Sequence, residues 1–307
     1  MIVDCHTHIW ESPEQLGVSA EAEGPGTIPP RSLLHERGEF PVAAPDRHLA
    51  AAGPVDMSIV MGFRSYYLRA HIPNDVVAKY VRQHPSRLVG FAGIDPTRKE
   101  EALAEMRRAK SDLGMRGLTI APSAQNFHPM HSDALAVYAE ACELGMPVIF
   151  HQGLRSTPAS KMEYSRPSLL DDVAREFPEL RIIVAHLGYP WVDEAIVLVG
   201  KHPNVFADIS ALLHRPWQAY NALLSTYHYG VTDKLLFGSD FPYTSASTCI
   251  EALYSINHLV HGTNLPTIPR EKLRGIVERD TLRLLGIADV LPRGDRPSSR
   301  KLLDDED

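Results

Sequence analysis

Four of the 15 histidines and one aspartate stand where short apolar runs of the sequence end. These five residues are His6, His8, His151, His186 and Asp240. Imidazole nitrogens and carboxylate oxygens bind divalent metal ions, and such an ion lowers the pKa of a bound water from about 15.7 to about 7. Burying this many polar side chains together is costly unless something pairs them. The residue types therefore predict a metal site that activates water, with a hydrogen-bonded polar cluster as the alternative.

The spacing of the first two histidines predicts a shared face. Side chains on a strand point alternately to its two sides. His6 and His8 should therefore point inward together with Asp4, whereas Val3 and Cys5 should point toward the helical shell. Two imidazoles on one face can bind one ion. The His-x-His spacing alone is a weak signal, and the three further residues at strand ends strengthen it.

The runs that precede these residues belong to a repeated pattern of short apolar segments and longer amphipathic ones. Eight segments rich in Val, Ile, Leu and Phe are predicted strands: Ile2–Cys5, Met57–Gly62, Leu88–Ile94, Gly117–Ile120, Pro147–Phe150, Arg181–Ala185, Val205–Ile209 and Leu235–Phe237. From the second onward they recur about every 30 residues, as expected of βα units in a parallel sheet. Eight such units predict an α/β fold, the (β/α)₈ TIM barrel. An open doubly wound sheet is the alternative, but the sequence has neither of the glycine-rich nucleotide motifs.

A TIM barrel brings the carboxyl ends of all its strands to one face, where active sites lie. The five predicted site residues should converge there. A long inserted loop over residues 10–44 follows the first strand on that face, and it is either a binding loop or a solvated insertion. Arg270–Leu285 predicts an extra C-terminal helix. We expect one domain over residues 1–290 and a polar C-terminal tail over residues 291–307.

Composition and charge narrow the function classes. The chain has 307 residues, a formal net charge of −7 and no basic run before its C-terminal tail, which argues against a nucleic-acid partner. It has no apolar stretch long enough to cross a membrane, and a strand from Ile2 leaves no room for a signal peptide. Three widely spaced cysteines do not suggest a disulfide framework. We expect a cytoplasmic protein with a small-molecule substrate and no membrane partner, and barrels of this kind often pair as homodimers.

The motifs around the predicted site resemble the amidohydrolase superfamily. They are Asp4-Cys5-His6-Thr7-His8, Gly90-Phe91-Ala92-Gly93-Ile94-Asp95-Pro96, His151, Ala185-His186-Leu187-Gly188 and Phe237-Gly238-Ser239-Asp240-Phe241-Pro242. The nearer match is the amidohydrolase-related branch, which includes aminocarboxymuconate semialdehyde decarboxylase, and it covers about residues 1–290. The resemblance implies a distorted barrel and one divalent metal ion. It makes His6, His8, His151 and Asp240 metal ligands and His186 a catalytic histidine.

The fourth predicted strand indicates how many metal ions to expect. Relatives with two ions bridge them with a carboxylated Lys or a Glu at this strand. Here the segment Arg116–Pro122 contains neither residue type. We therefore expect one ion. Three imidazoles and one carboxylate suit zinc, with manganese, cobalt or iron as alternatives.

Two reactions fit these residues. Asp240 can take the proton of the activated water, and His186 can polarise a substrate carbonyl or shuttle a proton. Hydrolysis of a carboxyl derivative or lactone is the main prediction, and non-oxidative decarboxylation is the alternative. A two-metal phosphoesterase or nuclease, and a barrel that keeps metal only for stability, are the other classes. His186 could instead be a structural histidine bonded to a backbone carbonyl.

Substrate-binding residues are predicted from their positions after the strands. Arg64 follows the second strand and Arg155 follows the fifth, and either could clamp a substrate carboxylate through two hydrogen bonds. Trp10 and Tyr189 flank the ligand strands and could form the walls of an aromatic site. Solvated arginines and core-packed aromatic side chains explain the same residues. The expected substrate is a small carboxylated molecule, either aromatic-derived or a lactone.

Overall fold

All eight predicted strands form, and they close into a barrel. The computed structural model describes residues 1–17, 42–153 and 160–290. Its strands in chain order are β1 (Val3–His8), β2 (Met57–Met61), β3 (Phe63–Ser65), β4 (Ala70–Ile72), β5 (Leu88–Gly93), β6 (Gly117–Ile120), β7 (Val148–Phe150), β8 (Ile182–Val184), β9 (Val205–Asp208) and β10 (Leu235–Leu236). Eight of them are parallel neighbours in the order β1-β2-β5-β6-β7-β8-β9-β10. The circle is closed by the Cys5 N–H, which donates to the Phe237 carbonyl at 2.9 Å. The predicted TIM barrel is confirmed.

Helices alternate with the barrel strands. They are α1 (Pro45–Ala51), α2 (Asn74–Gln83), α3 (Lys99–Ser111), α4 (Pro122–Gln125), α5 (Ser132–Leu144), α6 (Leu170–Glu176), α7 (Val192–Lys201), α8 (Pro216–Tyr229), α9 (Ala246–Tyr254), α10 (Arg270–Val277) and α11 (Thr281–Leu284). The single C-terminal helix predicted over Arg270–Leu285 is divided into α10 and α11. The Asp280 carboxylate accepts a hydrogen bond from the Arg283 N–H at 3.2 Å, and this cap begins a new helix.

Side chains of the barrel strands divide between two hydrophobic clusters. Val60, Leu118 and Val148 pack outward in the cluster that contains the helix side chains. Ile59 and Phe91 belong to a second cluster, which contains no residue of α1 to α10 and fills the barrel interior. The polar residues at the carboxyl ends of the strands therefore lie above an apolar interior.

A β-bulge in β1 changes the predicted facing of its side chains. Compared with β2, β1 has one extra residue between Asp4 and Thr7. Val3 and Cys5 belong to the interior cluster, so the prediction that they face the helical shell is wrong. Strict alternation cannot place Cys5 and both histidines on the same side, but the extra residue of a bulge can.

The chain between β2 and α2 forms an antiparallel hairpin that the sequence pattern did not predict. In this β3–β4 hairpin, Phe63 pairs with Ile72 and Arg64 pairs with His71. Because side chains alternate along a strand, the first pair faces one side of the hairpin and the second pair the other. The hairpin follows β2 at the carboxyl end of the barrel and so can form a wall of a site there.

The beginning of the predicted inserted loop packs against this hairpin. Gly17 has φ of 78°, and a Cβ atom there would lie 2.1 Å from the Leu68 carbonyl oxygen, so glycine allows the close approach. Residues 18–41 of the loop and the predicted tail 291–307 lie outside the described residues. Within the described ranges, the helices are too short or too polar to cross a membrane.

Candidate metal centre

The predicted ligands come together at the carboxyl end of the barrel. His6 and His8 end β1, His151 follows β7 and Asp240 follows β10. The Nε2 atoms of His6 and His8 are 3.2 Å apart, and Asp240 Oδ1 lies 3.7 Å and 3.8 Å from them. The rings of His6 and His151 have centroids 4.9 Å apart. Residues far apart in sequence thus form one cluster.

These side chains fit a divalent metal ion. His6, His8 and His151 each offer a ring nitrogen, and the three nitrogen atoms lie within 4.8 Å of one another. Ligands bound at about 2.0–2.1 Å around a tetrahedral zinc ion lie about 3.3 Å apart. The observed separations among His6, His8 and Asp240 are close to that value. Nitrogen and carboxylate donors could therefore hold an ion here with small side-chain adjustments.

Asp4 positions the backbone of this cluster rather than joining it. Its carboxylate accepts hydrogen bonds from the Ser239 N–H at 2.9 Å and the His6 N–H at 3.3 Å. Burial raises the pKa of Asp4 to about 6, and the hydrogen bonds to Ser239 and His6 oppose this rise. Asp4 thus joins the bulge of β1 to the segment before Asp240.

Asp208 at the end of β9 is a buried partner of the cluster that sequence reasoning missed. Its Oδ2 lies 2.9 Å from His6 Nδ1, and its Oδ1 accepts from the backbone N–H groups of His186 and Ser210, both at 3.0 Å. Burial alone would raise the pKa of Asp208, but the His6 imidazole, the nearby His186 ring and the hydrogen bond from the Ser210 hydroxyl lower it well below the usual range. The sequence feature that could have identified Asp208 is the polar Asp-x-Ser sequence at the end of the predicted strand Val205–Ile209.

Two site residues have left-handed backbone conformations that non-glycine residues rarely adopt. His186 has φ of 56° and Asp240 has φ of 60°. Each N–H is held by a neighbouring strand, because His186 donates to Asp208 Oδ1 and Asp240 donates to the His6 carbonyl at 3.0 Å. Such conformations cost about 1–3 kcal/mol each and cluster at functional sites. The fold therefore stabilises an unfavourable backbone in order to direct these two side chains.

A cavity of about 100 Å³ opens beside the histidines. Its described lining consists of His8, Trp10, Leu16, Phe63, Leu68, Ile72, Ala121, Ser123, Ala124, His151, Gly153 and His186. The β3–β4 hairpin supplies one wall and the start of the inserted loop another. None of these lining residues is a lysine or an arginine. Apart from Ser123, the described lining is therefore apolar except at its histidine end.

The predicted substrate residues are distributed differently from the expectation. Trp10 lines the cavity. Arg64 lies on the other face of the hairpin, where its guanidinium carbon is 4.1 Å from the ring centroid of Tyr66. The alternation along β3 directs Phe63 rather than Arg64 into the cavity, so the predicted clamp by Arg64 has no support in this structure. Tyr189 is half-buried and is not among the described lining residues, and Arg155 lies outside the described residues.

Solved structures share this fold at low sequence identity. An uncharacterised TIM-barrel protein from Bordetella bronchiseptica is 22% identical, with 94% of this chain and 99% of that chain covered and a TM-score of 0.67. A probable 2-pyrone-4,6-dicarboxylic acid hydrolase from Acinetobacter baumannii, with citric acid bound, is 16% identical. The match covers 93% of this chain and 99% of that chain, with a TM-score of 0.65. A dihydroxybenzoic acid decarboxylase from a Polaromonas species, with bound manganese and the inhibitor 2-nitroresorcinol, is 16% identical, with 94% and 98% covered and a TM-score of 0.63.

The family of the chain follows from its sequence. No curated protein matches the sequence significantly. The family model described as amidohydrolase matches residues 3–286, which is nearly the whole chain and includes every residue of the histidine and aspartate cluster. The resemblance drawn from the motifs is therefore confirmed, and the protein belongs to the amidohydrolase family.

Proposed function

We propose that the protein is a metal-dependent decarboxylase that removes carbon dioxide from a small aromatic carboxylic acid without an oxidant. The observation that carries this proposal is the contrast between the two ends of the cavity. His8, His151 and His186 form one end, and the rest of the described lining is apolar apart from Ser123. A metal ion held at the histidine end would attract a substrate carboxylate there, so the carboxyl group itself would be the part held at the reacting centre.

His6, His8, His151 and Asp240 would hold the divalent ion, which when bound supplies a positive charge that attracts a carboxylate and acidifies water. We infer a single ion, because β6 (Gly117–Ile120) contributes no Lys or Glu that could bridge two. Zinc suits this donor set, and manganese, cobalt and iron are the alternatives.

His186 is the group that we assign to deliver the proton. When the carbon–carbon bond breaks, its electron pair stays on the ring carbon, carbon dioxide leaves, and the ring carbon takes up one proton, which His186 has first taken up from the solvent. His186 lines the cavity, and its ring centroid lies 4.6 Å from that of His6. The apolar walls formed by Trp10 and Phe63 favour this step, because a charged carboxylate becomes neutral carbon dioxide.

The structural relatives support this reaction class. The Polaromonas decarboxylase holds manganese together with a small aromatic inhibitor. A cavity walled by Trp10 and Phe63 suits a flat ring of similar size. Together they favour decarboxylation over the hydrolysis that the sequence alone put first.

Hydrolysis of a lactone or carboxyl derivative is the second candidate. The Acinetobacter relative is a probable hydrolase of a dicarboxylic acid. The observation in favour of this reaction is a cation at the same end of the barrel: Arg215 lies in the segment between β9 and α8, and its guanidinium carbon is 5.7 Å from the ring centroid of Tyr189. A dicarboxylic substrate would use such a cation for its second carboxylate.

The two reactions are separated by their products. Purified protein loaded with Mn²⁺ or Zn²⁺ is incubated with hydroxybenzoates and, separately, with 2-pyrone-4,6-dicarboxylate. The proposal expects carbon dioxide release from a hydroxybenzoate, with one deuterium on the product ring when the reaction runs in D₂O. Asp240→Asn should abolish the release, whereas His261→Ala, which changes an exposed histidine, should not. Ring opening of the pyrone without release of carbon dioxide from any aromatic acid would contradict the proposal.

A further inference from the structure

We propose that Asp208 and Ser210 form one hydrogen-bonded unit that fixes the ring tautomers of both His6 and His186. Asp208 is the last residue of β9 and Ser210 lies two residues after it, and both of these positioning residues are fully buried. Through them, each imidazole carries its proton on Nδ1 and presents the lone pair of Nε2. The inference rests on the proposed function for its catalytic consequence, but the tautomers themselves are a property of the protein alone.

The arrangement around Asp208 assigns the tautomer of His6. Oδ1 of Asp208 already accepts from two backbone N–H groups and from the Ser210 hydroxyl. A carboxylate that accepts this many donors is ionised and acts only as an acceptor. Its Oδ2, 2.9 Å from His6 Nδ1, therefore accepts a proton from that nitrogen. The Nε2 lone pair of His6 is then left on the side of His8 Nε2 and Asp240 Oδ1.

The Ser210 hydroxyl assigns the tautomer of His186. A hydroxyl has a single proton, and here it is donated to Asp208 Oδ1. The Ser210 Oγ atom, 2.8 Å from His186 Nδ1, can then only accept from that nitrogen. The Ser210 carbonyl oxygen, 3.3 Å from the same Nδ1, is also an acceptor only. Both contacts require the proton on Nδ1, so Nε2 of the neutral ring is the atom that can take up a proton.

Close packing holds this unit in place. A Cβ atom at Gly238 would lie 2.9 Å from His6 Cβ and 3.1 Å from Ser210 Cβ, so only glycine fits between the two side chains. The same Asp208 carboxylate that orients the His6 ring also holds the strained backbone N–H of His186. One carboxylate thus aligns a ligand imidazole and the proton-transfer imidazole.

The tautomers can be read without substrate. Metal-free protein labelled with ¹⁵N-histidine is examined at pH 8 by long-range ¹H–¹⁵N correlation, with signals assigned from His6→Asn and His186→Asn. For both rings, we expect Nδ1 to have the ¹⁵N chemical shift of a protonated nitrogen and Nε2 to have that of an unprotonated nitrogen. An Nε2-protonated tautomer for His186 in the wild-type protein would overturn the inference. This measurement does not depend on activity, so the tautomer assignment would still be tested if the proposed reaction were not observed.

Variants then separate the effect of Ser210 on His186 from the effect of Asp208 on His6. Ser210→Ala should shift His186 toward a tautomer mixture and lower kcat about tenfold, with the His6 signal and the metal Kd unchanged. Asp208→Asn should weaken metal binding about 10–100-fold in a chelator competition. Ser58→Ala changes a buried serine on β2 and should leave tautomers, metal Kd and kcat unchanged. An unchanged His186 tautomer in Ser210→Ala, or wild-type metal affinity in Asp208→Asn, would contradict the inference.

Discussion

Acid should destabilise the fold through His48, a buried histidine behind the site. His48 is 1% exposed, its ring centroid lies 5.1 Å from that of Phe241, and its Nδ1 lies 2.8 Å from the Tyr80 hydroxyl. Burial, with a smaller effect of the Arg87 charge, lowers the pKa of His48 from 6.5 to about 4. The unfolded chain therefore binds this proton more tightly than the folded protein. The stability contributed by neutral His48 is present above pH 6.5 and is lost as the pH falls toward 4.

The size of this effect follows from the two pKa values. One pKa unit corresponds to about 1.4 kcal/mol, so at pH 5 the protonation of His48 in the unfolded chain removes about 2 kcal/mol of folding stability. Urea unfolding of the metal-free protein at pH 7 and pH 5 measures the loss. His48→Gln, which has no proton to take up, should lose about 2 kcal/mol less than the wild-type protein between these pH values. His261→Gln, a change of an exposed histidine, should behave as the wild type. Equal losses in wild type and His48→Gln would refute the reasoning.

Three substitutions at the candidate metal centre test the assigned roles. His6→Ala should remove metal and activity together, because it deletes a central nitrogen donor, and full metal content by elemental analysis would contradict the ligand role. Asp240→Asn should reduce kcat at least 100-fold while changing the free energy of unfolding of the metal-free protein by less than about 2 kcal/mol, and unchanged turnover would exclude it from the mechanism. His186→Asn should retain the metal and lower kcat about 100-fold, and unaltered kinetics would make it a structural histidine.

The barrel and the convergence of its strand-end residues could be predicted from sequence because both depend on local patterns. Apolar runs recur at the length of a βα unit, and parallel strands in a barrel end at the same face. That rule is sufficient to bring His6, His151, His186 and Asp240 together, although 234 positions separate the first from the last.

The features that the sequence did not reveal depend on tertiary contacts. The bulge in β1 is defined by its register against β2, and no local pattern distinguishes Cys5 from an outward-facing residue. The sequence does not show the hairpin pairing, which places Arg64, the predicted substrate clamp, on the opposite face from Phe63. In the sequence, Asp208 is only a polar residue near the end of a predicted strand. Its role in orienting the His6 ring follows from the contact between the two side chains, which the structure shows.

The central claim is that four side chains from three strand ends hold one metal ion. The most direct measurement is a crystal structure of protein loaded with Mn²⁺, with anomalous diffraction recorded to locate the ion. We expect one anomalous peak within bonding distance of His6, His8, His151 and Asp240. A peak elsewhere, two peaks in this cluster, or an ion that Asp240 and His151 do not contact would contradict the account.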